Sequence, residues 1–351
     1  MKKRTGIIII VITLCLCLAF TGLTIVTLRI YTQAFGRIEE LPDDFFQTNF
    51  TWKEIDQSAY PREELRFNSG RNRLQAFVYG KSNDRGLVII SHGLGNTADS
   101  YLPMIMYFVD KGWRVLAYNN TGVGGSEGKG IRGLSQSLVD LDAALTYVEN
   151  SGEFNGLPVM LAGHSWGGFA VCAVLNYNHD VRAAVSFAGF NSCDEAISEV
   201  GVSWAGRSFY IISPQLWAIK KVLFGRAATL TAVGGINKAG IPVMIVQSSN
   251  DRVVPANTTS IYAHRNKITN PNVEIVYLDG ENATGHSYVF GSKRQYAYMN
   301  RANTSGTADG AEHNNALKPH WSEQTNFDKA LANELDPDIM ERVDRFFNNA
   351  R

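Results

Sequence analysis

The chain carries no surplus charge of either sign. Lys and Arg number 33 and Asp and Glu number 33 in 351 residues. Bulk electrostatics therefore predict no nucleic-acid partner and no acidic substrate, and no basic cluster interleaved with aromatics lies outside the N-terminus. Cysteine is scarce. The four present have no CxxC or Cys/His zinc spacing, so neither a disulfide framework nor a metal site is expected. Cys172 and Cys193 flank a predicted strand and read as buried, inert thiols, a disulfide between them being the alternative. Internal repeats and low-complexity tracts are also missing. What is plentiful is apolar: 45% of residues against 19% charged, enough for a substantial core.

Part of that apolar content is concentrated at the start. After MKKR comes GIIIIVITLCLCLAFTGLTIVTL, 23 uncharged residues from Gly6 to Leu28. As a helix they reach about 34 Å, sufficient for a hydrocarbon core of about 30 Å. Lys2, Lys3 and Arg4 favour a cytoplasmic N-terminus, although Arg29 and Arg37 follow on the other flank. The expectation is a single-pass anchor with the remainder extracytoplasmic. The alternative is a signal peptide cleaved after Ala19, which leaves a secreted protein. Residues 1–28 are thus read as cytoplasmic tip and anchor, and 29–60 as a juxtamembrane lead-in.

From residue 61 onward, strand-like and helix-like segments alternate. Arg73–Gly80, Gly86–Gly93, Trp113–Asn119, Leu157–Ala162, Val181–Gly189, Ile241–Gln247 and Val273–Asp279 read as strands, several of them continuously apolar. Helical spacing runs through Thr97–Lys111 and Leu134–Glu149, and the last helix is expected over Phe327–Asn348. This pattern predicts an α/β domain with a mostly parallel sheet covered by helices on both faces. Between about 192 and 240 the alternation breaks into amphipathic helical material, read as a small helical cap. Residues 291–325 read as a polar, turn-rich excursion.

One hexapeptide, GHSWGG (Gly163–Gly168), sits at a strand-to-helix corner. A serine there, with glycines where a side chain would collide, has the pattern of a nucleophile elbow. A reactive serine needs a base, a group that orients the base, and donors for an oxyanion. In an open parallel sheet these come from loops at the strands' carboxyl ends. The strand IPVMIVQ leads into SSNDRVVP and hence Asp251; VEIVYLD leads into GENATGHSYVF and hence His286. The order Ser165, Asp251, His286 follows. Asp279 is a competing acid, placed before the histidine loop.

With SHGLGN, GHSWGG, SSNDRVVP and TGHSYVF in view, the chain from about Leu65 to its end resembles the α/β-hydrolase superfamily. It is most similar to the branch of serine aminopeptidase-like and monoacylglycerol-lipase-like enzymes, including membrane-anchored, Bem46-like members. The resemblance implies an α/β-hydrolase fold with Ser165 as nucleophile, His286 as base and Asp251 as its orienting acid. It also implies an oxyanion hole from the backbone N–H groups of Leu94 and Trp166. Two departures matter for subfamily. The loop Asn119–Gly128, NNTGVGGSEG, lacks the acidic and basic pair that many relatives carry there, and no HGGG occurs.

The expected activity is cleavage of a small-molecule carboxylic ester through an acyl-enzyme, without cofactor or metal. An exopeptidase or amidase with the same triad is the second reading. A catalytically inactive binding module at the cell surface is the third. Asp194, Glu195 and Glu199 could grip a substrate amine, or simply form a solvated helix start. The cap's apolar residues Trp204, Phe209, Tyr210, Leu216, Trp217 and Leu223 read either as packing or as a wall for an acyl group. His92 is expected to brace the oxyanion loop, His164 to pack against the sheet, and His264 to lie on a surface; His313 and His320 have no strand-end context. Of five glycosylation sequons, those at Asn119 and Asn282 fall on predicted active-face loops and read as incidental.

Overall fold

The computed structural model describes residues 2–38, 48–304 and 327–351. The uncharged N-terminal run lies within a single helix, α1 (Lys2–Ala34). It is the one helix, among the described residues, long and apolar enough to cross a membrane. Most of its apolar side chains are exposed, but Leu23, Thr24, Thr27, Tyr31 and Phe35 are half-buried or buried. Spaced three or four apart, they form one stripe of the helix, and Thr27 and Tyr31 are almost wholly covered.

Eight strands form one sheet: β1 (Arg62–Ser69), β2 (Asn72–Tyr79), β3 (Leu87–Ser91), β4 (Arg114–Tyr118), β5 (Val159–His164), β6 (Val181–Phe187), β7 (Val243–Ser248) and β8 (Val273–Leu278). Their order across the sheet is β1-β2-β4-β3-β5-β6-β7-β8. β2 runs antiparallel to both β1 and β4, and every pairing from β4 to β8 is parallel. The mostly parallel sheet expected from sequence is present. β1 was not foreseen, because REELRFNS alternates charge with apolar residues and its outer position leaves much of it exposed.

Period-two alternation sends successive side chains to opposite faces. In β5, Val159 and Leu161 join one core with α3 (Gln136–Asn150), α4 (Trp166–Ala173) and α7 (Ala232–Ala239). Met160 and Ala162 join the other, with α2 (Leu102–Asp110) and α10 (Pro337–Asn349). β5 lies in the middle of the sheet, so a residue at its end is held from both sides. Between β6 and α7 the chain leaves the sheet for α5 (Cys193–Ala205) and α6 (Ser213–Phe224).

Two helix expectations need correction. The final helix does not begin at Phe327; the segment splits into α9 (Lys329–Ala332) and α10. Pro337 lacks an N–H and opens α10 at its first turn, while the Asp336 side chain accepts from Ile339 N. The excursion from 291 contains a helix, α8 (Lys293–Thr304). Its remainder, including His313 and His320, lies outside the described residues.

The segment after α1 is built into the domain. Gly36 bridges Gly130, and Ile38 bridges Val123. The Arg37 guanidinium donates to the carbonyls of Gly124 (2.7 Å), Ser126 (2.8 Å) and Gly128 (2.9 Å). Asp140, fully buried on α3, accepts from Thr121 N at 2.7 Å and from the Thr121 hydroxyl at 2.9 Å. The loop Asn119–Gly128 lacks the acidic and basic pair that many relatives carry there; Arg37 and Asp140 grip it from elsewhere in the chain.

Candidate active site

Ser165 stands between the last residue of β5 and the first of α4, with φ 56° and ψ −111°. Such a backbone is strained for any residue with a Cβ, and it is held by tight neighbours. A Cβ on Gly163 would strike the carbonyl of Gly167, and one on Gly167 would strike the carbonyl of Ser91. Both glycines are therefore steric requirements of the corner. Ser165 N donates to Phe187 O at 2.8 Å, and Ser165 O accepts from Phe169 N at 2.9 Å.

The Ser165 hydroxyl lies 2.8 Å from His286 Nε2. On the other side of the ring, Nδ1 lies 2.8 Å from Asp251 Oδ2. Asp251 is buried and accepts from four donors. Oδ1 takes Val253 N (2.9 Å) and Val254 N (2.8 Å); Oδ2 takes His286 Nδ1 (2.8 Å) and Gln247 Nε2 (3.2 Å). This places the Nδ1 proton toward Asp251 and leaves the Nε2 lone pair facing the hydroxyl. Ser165 and His286 are partly exposed, so solvent and small molecules reach them.

The turn before His286 is fixed by the same loop that holds the acid. Ser248 Oγ accepts from Thr284 N (3.0 Å) and Gly285 N (3.2 Å), and Asn250 Oδ1 accepts from Gly285 N (2.7 Å). The tetrapeptide SSND thus positions both the imidazole and its partner.

Two further histidines sit close by, and neither is a base. His92 is fully covered; its Nε2 accepts from Asn120 N at 3.0 Å, so Nδ1 carries the proton toward Gly93 O at 2.8 Å. Burial lowers its pKa to about 4. His164 Nε2 donates to the His286 carbonyl at 3.0 Å, and Nδ1 accepts from the Tyr101 hydroxyl at 2.8 Å. Burial first, and then the neighbouring His286, lower the His164 pKa to about 3. Tyr101 in turn accepts from Gly93 N at 2.9 Å. A chain of three hydrogen bonds therefore links the SHGLGN turn, the residue before the serine, and the backbone of His286.

Leu94 lies in that turn, and Trp166 follows Ser165 at the start of α4, where N–H groups have no helical acceptor. Trp166 is locked from behind, its indole donating to Leu134 O at 2.6 Å and its carbonyl accepting from Ser137 Oγ at 3.3 Å.

Other expectations fare differently. His264 is not on open surface: Nε2 meets Glu195 Oε2 at 3.1 Å and the ring is largely covered. Asp194 pairs with Lys220, a lysine almost completely buried. Cys172 and Cys193 are buried free thiols, and burial pushes both pKa values up to about 12. Asn119 is buried with its amide engaged, donating to Gln75 Oε1 at 2.9 Å and accepting from Ala98 N at 2.8 Å. Of the cap aromatics, Phe209 is buried while Trp204, Tyr210 and Trp217 are exposed, so packing does not account for those three. No cluster of three or more metal-ligating side chains occurs among the described residues. Tyr101, Gln247, Ser248 and Asn250 were not anticipated; the adjacency of the last three to Asp251 was the available signal.

The family described as serine aminopeptidase, S33, matches residues 82–222. No curated protein sequence matches the chain. Among solved structures, an esterase of Pyrococcus furiosus superposes with a TM-score of 0.54 at 17% identity, covering 76% of this chain and 94% of that one. Acetyl xylan esterase 1 of a Thermoanaerobacterium species gives 0.50 at 18% identity, covering 74% and 93%. An acylaminoacyl peptidase of Pyrococcus horikoshii gives 0.50 at 17% identity over 71% of this chain but only 41% of its own.

Proposed function

We propose that this chain, which belongs to the α/β-hydrolase superfamily, is a serine hydrolase of carboxylic esters. The observation that carries the reading is the pair of 2.8 Å contacts from the His286 ring, to the Ser165 hydroxyl and to Asp251. His286 Nε2 takes the hydroxyl proton as Ser165 Oγ attacks the acyl carbonyl. The Leu94 and Trp166 N–H groups receive the oxyanion, each such donor being worth about 3–4 kcal/mol in the transition state. The imidazolium, stabilised by Asp251, then protonates the leaving alkoxide. Water repeats the sequence on the acyl-enzyme and releases the acid.

Ester is preferred over peptide because two of the three carboxylates that could grip a substrate amine are already engaged. Asp194 is paired with Lys220 and Glu195 with His264 and Asn191. The domain of residues 61–351 carries the chemistry, with the insertion of about 192–240 as its cap. The insertion is anchored on the main core at both ends, through Cys193 at its start and Phe224, Ala227, Ala228, Ala232, Val233 and Ile236 toward its end. The N-terminal helix serves as a membrane anchor, with the domain extracytoplasmic.

The test compares p-nitrophenyl acyl esters of graded chain length with aminoacyl nitroanilides, alongside labelling by a fluorophosphonate probe. Ester turnover and labelling are expected in the parent, and neither in Ser165→Ala. Faster turnover of the anilides would overturn the ester preference. A folded protein that never labels would overturn the enzyme.

A further inference from the structure

We propose that the outer face of the helical insertion, α5 to α6, rests on the lipid bilayer that α1 crosses. The inference depends on the anchor reading and adds to it a second contact with the membrane. It begins from where α1 touches the domain. Tyr31, Phe209 and Leu216 form a buried cluster, with Phe35, Ile197, Val202, Ile212, Ile219 and Leu223 packed around it. The covered stripe of α1 runs back from Phe35 through Thr27 to Leu23.

Leu23, Thr24 and Thr27 belong to the uncharged run that ends at Leu28. A hydrocarbon core of about 30 Å takes up about 20 of those residues. The covered stripe thus begins within about two helical turns of the outer boundary of that core. A domain packed this far down the helix does not stand clear of the headgroups. Nor can it swing away, because Arg37 and the bridges at Gly36 and Ile38 fix the end of α1 to the domain.

The surface so placed is apolar. Outside α1, ten large hydrophobic side chains are exposed among the described residues. Six belong to this insertion: Val200 (50%), Trp204 (86%), Tyr210 (57%), Ile211 (64%), Trp217 (54%) and Val222 (86%). Concentrated exposure of this kind marks an interaction surface. Trp and Tyr are the residues favoured at headgroup level, where an apolar ring and a polar tip meet different media. The same segment carries Arg207, Lys221 and Arg226 for lipid phosphates, while two of its three acids, Asp194 and Glu195 but not Glu199, are already paired within the fold.

The full chain, reconstituted in phosphatidylcholine vesicles with or without bromine on the acyl chains, tests this by tryptophan fluorescence. Trp113 and Trp166 are buried in the protein and out of reach of lipid. Brominated lipid is expected to quench part of the parent signal, and that part should fall at least about twofold in W204F/W217F, with each single variant intermediate. Unchanged thermal midpoints confirm that the variants fold. Carbonate extraction of the same vesicles separates the two readings. A carbonate-resistant chain with equal quenching in parent and double variant overturns the bilayer contact alone. Release by carbonate overturns the anchor and this contact together. A carbonate-resistant dimer in detergent that the double variant converts to monomer, without bromine quenching, makes the face a contact between copies and overturns the proposal.

Discussion

Replacing Asp251 by Asn probes the proposed mechanism at the level of one proton. The Asp251 carboxylate accepts from two backbone N–H groups through Oδ1 and from His286 and Gln247 through Oδ2. An asparagine keeps its oxygen on the fixed backbone pair, since the alternative sets two N–H groups against an NH₂. The amide nitrogen then replaces Oδ2 and faces His286 Nδ1. The imidazole responds by carrying its proton on Nε2 and accepting at Nδ1. With Nε2 protonated, the 2.8 Å contact to Ser165 runs the wrong way, and the hydroxyl has no base. The expected fall in kcat is about ten-thousand-fold, equivalent to about 5 kcal/mol of barrier. Stability changes less, by about 1–3 kcal/mol, because a single acceptor is lost against Gln247 and His286. The assay is kcat for a p-nitrophenyl ester at neutral pH, with the thermal midpoint recorded in parallel. Activity within tenfold of the parent, in a folded variant, would refute the tautomer argument and with it the role given to Asp251.

Three further outcomes follow from the same geometry. Gly167→Ala drives a Cβ into the Ser91 carbonyl, so urea unfolding should show a loss of about 1–3 kcal/mol; an unchanged midpoint would mean that the elbow is not sterically fixed. Tyr101→Phe leaves Gly93 N–H and His164 Nδ1 without their partner, and is expected to lower stability by about 1–3 kcal/mol, read as a fall in thermal midpoint. For His179, burial alone would lower the pKa, yet hydrogen bonds to Asp142 and Glu149 raise it above its ordinary value. Its stabilisation is therefore fully present below pH about 6.5 and is lost as pH rises through the folded value. Unfolding free energy should decline across that window in the parent, and His179→Gln should flatten the slope; identical slopes would remove His179 from the account.

The strands of the parallel core could be read from composition, because β3 and β5 are buried on both faces and leave uninterrupted apolar runs. β1 could not, since one charged, half-exposed edge looks like a loop. Ser165, Asp251 and His286 were legible because each follows a strong strand signal at the same end of the sheet. The supporting residues were not. Ser248 and Asn250 act through hydrogen bonds to Thr284 and Gly285, far along the chain, and Gln247 through one to Asp251; adjacency to Asp251 was their one local mark. His264 was misplaced for a similar reason: its polar neighbours suggested solvent, whereas Glu195, 69 residues away, covers it. The break in the last helix was signalled by Pro337 but overridden by a continuous run of apolar spacing.

The three carbonyls gripped by Arg37 have a practical bearing on where this polypeptide can be cut. Trimming only the first twenty or so residues leaves Leu23 onward, and with it the whole keystone that closes the loop Asn119–Gly128. Starting at residue 39 discards Arg37, Tyr31 and both bridges, and opens a gap in the wall behind Gly130 and Gly133. A soluble version that removes the lead-in along with the anchor would thus be missing a piece of the domain itself.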